Sequence, residues 1–129
     1  MPYVYPDVDD LAGHDLVGTA QCVALVQTYT EAPRTADWKQ GVSVRGNLLL
    51  TKATAVATFE DGVYKNHAHG NHAAFYLSQD QGGIWVMDQW KGDPKKPAVS
   101  KRYLRYQGTG KDGNWIDTSN NGDAFSVIE

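Results

Sequence analysis

The longest apolar run in the first third of the chain, Val23-Ala24-Leu25-Val26, is closed by Tyr29. Apolar residues fall on most faces of this segment, so it predicts a buried helix over 19–29 rather than one docked by a single stripe. Thr19 is a favourable N-cap, which sets Ala20, Gln21 and Cys22 in the first turn, and Pro33 prevents continuation. Beyond it the periodicity changes. Strands are predicted over 53–59, 72–77, 83–90, 99–106 and 124–128, with a short strand or turn within 42–50. Turn formers at 60–62, 78–83 and 108–113 separate them, and the runs 72–77 and 83–90 pair as a hairpin. Residues 1–17 read as an irregular lead-in anchored by Leu11, Leu16 and Val17. Residues 63–71 form a polar, histidine-rich loop, and 91–97 an exposed loop whose three lysines are a solvated connection. One buried helix followed by an antiparallel meander is an α+β order, with the helix against one sheet face.

Composition narrows this without redirecting it. A chain of 129 residues suffices for one core and buries about 65–70% of its unfolded surface. With no repeat, low-complexity tract or linker, residues 1–129 read as a single domain. The formal charge of −3 and the lack of a basic block disfavour a nucleic-acid partner. No apolar stretch reaches membrane-spanning length, and the start of the chain lacks a basic segment followed by an apolar run. The expectation is a soluble chain made in the cytoplasm, exported, where it acts outside, without a cleavable signal. Four tryptophans and seven tyrosines suggest an aromatic-lined groove.

The candidate chemistry starts from Cys22, the only cysteine, which excludes an internal disulfide. In the first turn of a helix a thiol is acidified by the positive helix end and lies near backbone donors without intrahelical partners. Strand parity supplies its companions. His72, Ala74 and Tyr76 share one face of their strand, and Ile84, Val86, Asp88 and Trp90 share one face of the next. Pairing the two strands brings His72 and Asp88 to the same end of the sheet. Where those faces meet the helix, Cys22, His72 and Asp88 make a nucleophile, base and orienter for acyl transfer, with Gln89 or a backbone carbonyl as the fallback orienter. Two other readings stand beside this one. His67, His69 and His72, with Asp88 or Cys22, could ligate zinc. Alternatively Trp38, Trp85 and Trp90 could form the contact surface of a non-catalytic binding module. The cysteine reading requires no metal and no cofactor.

Several segments also carry a family resemblance. Gln21-Cys22-Val23 opening a helix, a histidine opening a strand and a polar residue ending the next resemble the papain-like cell-wall peptidases of the NlpC and CHAP group. The sequence is more similar still to the second family of type VI secretion amidase effectors, through VGTAQCVALVQ from Val17, WKQG from Trp38, ATAVATF from Ala53, HGNHAA from His69, WVMDQW from Trp85 and SNNGDAFSVI from Ser119. The resemblance implies a papain-like fold whose N-terminal catalytic helix packs on an antiparallel sheet. It also implies cleavage of peptidoglycan peptides at the crosslink between D-alanine and meso-diaminopimelate, with Cys22 as nucleophile and His72 as base. A cut after D-glutamate is the alternative. Leu16 stands where papain carries its oxyanion glutamine, which leaves the Cys22 N–H with Gln21 or Thr19 as oxyanion candidates. Asn71 and Trp90 are the substrate-groove candidates. The implied partners are a type VI secretion apparatus and a cognate immunity protein, and the implied site of action is the periplasm of a target cell.

Overall fold

The structure, a computed structural model, describes residues 2–129. Six strands form one antiparallel sheet: β1 (Gln40–Ser43), β2 (Ala55–Thr58), β3 (Ala73–Gln79), β4 (Gly83–Asp88), β5 (Ser100–Arg105) and β6 (Phe125–Ile128), in the order β1-β6-β2-β3-β4-β5. One α-helix, α1 (Cys22–Tyr29), packs against β3. No helix among the described residues is long and apolar enough to cross a membrane.

Alternation along the strands divides the apolar side chains between the two faces. Ala55, Ala57, Ala73, Phe75 and Met87 lie beneath α1 with Leu25 and Val26. Val56, Ala74, Tyr76, Ile84, Val86, Leu104 and Phe125 pack on the opposite face with Val44. Because both faces are covered, β2 and β6 are apolar or small at every position instead of alternating with polar residues. An isolated eight-residue helix is marginal in water, so tertiary contacts hold α1 in place. Leu25 and Val26 are completely buried, and each side chain contributes about 1.5–3 kcal/mol of gross burial free energy.

Several expectations are corrected. The α+β papain-like (NlpC/CHAP-type) fold organised around a catalytic helix is not what this chain forms. A six-stranded antiparallel sheet is the body of the molecule, and the α-helical content among the described residues is a single helix of eight residues. The sheet is also not a meander, because β6 returns from the end of the chain to lie between β1 and β2. Its Phe-Ser-Val-Ile run is buried throughout, as a central strand requires. Thr19 is not the N-cap. Ala20 has φ 67°, a left-handed kink that delays the helix, and Gln21 caps it by position without a side-chain hydrogen bond. In the lead-in, Val8 and Leu11 enter the core, while Leu16 and Val17 remain half-buried. The loop 91–97 is not wholly solvated, since Lys96 turns inward and is buried.

Candidate functional site

Cys22 opens α1 and His72 immediately precedes β3, so each lies at an element end. The histidine backbone is fixed by Thr58, whose side-chain oxygen accepts from the His72 N–H at 3.0 Å and whose own N–H donates to the His72 carbonyl at 3.0 Å. The imidazole is nearly fully buried, edge-on to Phe125 and Trp90. Its Nε2 lies 2.8 Å from Asp88 Oδ2, which leaves Nδ1 as the nitrogen available to the Cys22 thiol. The Cys22 sulfur lies 3.7 Å from the Tyr64 hydroxyl.

The electrostatics follow from these contacts. Burial alone would raise the Cys22 thiol pKa, but the hydrogen bond and charge of His72, aided by Ala73 and Tyr64, bring it below the ordinary thiol value. Burial would lower that of His72, yet its bonds to Asp88 and Cys22 outweigh the penalty and raise it. Both shifts favour a thiolate facing an imidazolium. Asp88 is completely buried, which opposes its ionisation, but the His72 bond and the Arg102 and Lys96 charges hold it well below the usual carboxylate range. Lys96 Nζ donates to Asp88 Oδ1 at 2.7 Å and Arg102 Nε to Oδ2 at 2.9 Å. Both cations also lie over the Trp90 ring, at 4.9 and 4.6 Å from its centroid. Trp90 therefore carries the two counter-cations of Asp88 on its ring and meets His72 with an edge.

A cleft of about 780 Å³ opens beside Cys22. Gln21, Asn71, Trp90 and Arg102 line it together with the loop 66–70. Thus Cys22, His72 and Asp88 are brought together, with Gln21, Asn71 and Trp90 at the cleft wall. Thr19 is exposed and is not among the lining residues. Gln89 is drawn elsewhere. Its amide accepts from the Val17 N–H at 2.9 Å and donates to the Val17 and Gln21 carbonyls at 3.1 and 2.8 Å, clamping the segment that leads into Cys22. His67 faces Glu60 at 3.6 Å, and among the described residues no group of three or more His, Cys, Asp or Glu side chains is placed to share a metal ion.

The sequence reading missed Tyr64, Lys96 and Arg102. The lysine and arginine could have been found by asking what neutralises a buried Asp88, since a buried carboxylate needs a partner. Tyr64 carried no such signal, because it lies in a polar loop segment with no periodic neighbours.

A sequence profile of the family "domesticated amidase effector 2" matches residues 4–128. A type VI secretion amidase effector 2 protein of Salmonella typhi is 49% identical over the full length of both chains. A domesticated amidase effector 2 of Ixodes scapularis is 37% identical over 88% of this chain and 73% of its own length. The solved structure of a type 6 secretion amidase effector 2 (Tae2) superposes with a TM-score of 0.92 at 47% identity, covering 98% of this chain and 94% of that one. This chain belongs to the amidase effector 2 family.

Proposed function

We propose that this chain is a cysteine amidase acting on bacterial peptidoglycan peptides, and that it cleaves the crosslink between D-alanine and meso-diaminopimelate. Membership of an amidase effector family supports the reaction class. The observation that carries the mechanism is that Cys22 and His72 line one open cleft, with the imidazole bonded behind to the buried Asp88 carboxylate.

In this mechanism the thiol proton passes to His72 Nδ1, and the thiolate attacks the scissile carbonyl carbon, forming a C–S bond. The carbonyl oxygen takes up the negative charge beside the Cys22 backbone N–H, with the Gln21 side chain as the second candidate donor. Collapse breaks the C–N bond as the imidazolium gives its proton to the leaving amine. Water, deprotonated by His72, then cleaves the thioester and returns the thiolate. Asp88 stays ionised throughout, holding the ring and stabilising its charged form. Asn71 and Trp90 contribute to the substrate groove.

The biological setting accords with delivery by a type VI secretion apparatus into a target cell's periplasm, with a cognate immunity protein guarding the producer. Digestion of purified sacculi, with Cys22→Ala as control, tests the reaction. Mass analysis should show crosslinked dimers converted to intact stem-peptide monomers by the wild-type protein alone. Stems shortened to D-glutamate would replace the crosslink with the alternative bond, and full activity in Cys22→Ala would remove the mechanism.

A further inference from the structure

Beyond the cysteine, histidine and aspartate stands a side chain that touches the sulfur. We propose that Tyr64 is a further catalytic residue, whose hydroxyl, oriented by the Asn71 amide, donates a hydrogen bond to the Cys22 thiolate. The inference rests on the cysteine mechanism proposed above and adds a residue to it.

Two observations carry it. First, the ring is held. Tyr64 is buried, and its ring lies 5.1 Å from the Trp38 ring, centroid to centroid. Trp38 is itself buried and tied by its Nε1–H to the Pro33 carbonyl at 2.8 Å. The phenol oxygen is thereby kept 3.7 Å from the Cys22 sulfur, within reach of a hydrogen bond to so large an acceptor. Second, the direction of that bond is set. Asn71 Nδ2 donates to the phenol oxygen at 3.0 Å, which occupies an acceptor position and leaves the single phenol proton for the sulfur. Once Cys22 has given its proton to His72, the sulfur can only accept.

The chemistry balances without moving the phenol proton. Burial and the neighbouring sulfur hold Tyr64 well above the ordinary tyrosine value, so it remains protonated. It stabilises the resting thiolate, releases its hold as the C–S bond forms and charge moves to the carbonyl oxygen, and stabilises the thiolate again when the thioester breaks.

Cys22 is the only cysteine, so alkylation by iodoacetamide, followed by intact mass across a pH series, reads this thiol alone. Tyr64→Phe retains the ring against Trp38 and removes only the hydroxyl. The expected result is a midpoint of alkylation moved to higher pH and, on the acid side, a rate lowered about threefold to tenfold, the net effect of one ordinary hydrogen bond, as suits a long contact to sulfur. Asn71→Ala should shift the midpoint in the same direction, and should add nothing in the Tyr64→Phe background, because its effect runs through the phenol. A purely structural Tyr64 would not move this titration in a variant whose circular dichroism is native. An unchanged midpoint in folded Tyr64→Phe overturns the proposal, as does an Asn71→Ala effect that is undiminished without the phenol. These outcomes are independent of sacculus digestion. An active Cys22→Ala would refute the cysteine mechanism and leave the thiol titration readable, whereas an inactive Cys22→Ala beside an unshifted Tyr64→Phe would refute only the role of Tyr64.

Discussion

Replacing Asp88 with asparagine changes almost no volume but removes a negative charge from a completely buried position where three cationic or protonatable groups converge. Lys96 Nζ at 2.7 Å and His72 Nε2 at 2.8 Å would each face a neutral amide, one end of which is itself a donor. Arg102 keeps Asn120 as a second partner and is partly exposed, so its loss is smaller. The buried Lys96 retains the Ser100 hydroxyl and carbonyl but no countercharge. Breaking a buried ion pair by removing one partner costs about 3–5 kcal/mol. For a chain of this size that corresponds to a fall in Tm of roughly 10–20 °C.

The pH dependence provides a second check. The folded pKa of Asp88 is depressed, so its contribution to stability is present above the unfolded carboxylate value of about 3.9 and is lost as pH falls toward the folded value. The gap in Tm between wild type and Asp88→Asn should therefore be widest near neutrality and shrink in acid. Turnover on sacculi should fall by about 10²–10⁴-fold, because an amide neither stabilises the imidazolium nor selects its tautomer. Adding Lys96→Met to Asp88→Asn should recover a substantial part of the stability and none of the turnover. Thermal denaturation across pH, beside sacculus digestion, reads all of this. A Tm within about 2 °C of wild type near neutral pH would refute the reasoning, since a buried unpaired cation cannot be that cheap.

Two further outcomes follow from the same contacts. The lowered Cys22 and raised His72 values should give a broad bell in kcat/KM, falling in acid as the thiolate protonates and in alkali as the imidazolium is lost, and His72→Ala should slow Cys22 alkylation near pH 7; a single ascending limb following an ordinary thiol would contradict the ion pair. Gln89→Ala should cost about 1–3 kcal/mol in chemical denaturation, since it strands the Val17 N–H while the Val17 and Gln21 carbonyls keep the Ala20 and Ala24 N–H groups, and it should lower Cys22 reactivity while leaving the His72–Asp88 pair in place; a stability loss below about 0.5 kcal/mol would mean the clamp is idle.

The strands were legible because both faces of the sheet are filled. Runs such as 53–59, 72–77 and 124–128 are apolar or small nearly throughout, and each overlaps an observed strand whose ends differ by a few residues. Their spatial order was not legible. Placing β6 between β1 and β2 depends on long-range pairings such as Val56 with Val127, and no local pattern in either segment encodes that choice. The papain-like expectation came from resemblance around Cys22, and two turns of helix constrain the architecture of the remaining strands very little. The start of α1 was misread for a local reason. Thr19 has good capping chemistry, but the left-handed Ala20 between it and the helix removes it from the capping position, and an alanine carries no sequence signal for that conformation.

Parity correctly joined His72 to Asp88 but implied the wrong route to Cys22. The residues that share their face, Ala74, Tyr76, Ile84 and Val86, lie on the side of the sheet away from α1. The helix rests on the side of Ala73, Phe75 and Met87. Cys22 therefore meets His72 at the end of the sheet, where the first residue of the helix comes alongside the start of β3. This arrangement accounts for Gln89. It is the next residue after Asp88, alternation turns it toward the helix side, and there it grips Val17 and Gln21 at the approach to Cys22. Neighbouring polar residues at the end of one strand thus hold the two halves of the proposed ion pair from opposite faces, Asp88 through the imidazole and Gln89 through the backbone leading to the thiol. A register slip of one residue in β4 would exchange their faces and disconnect both.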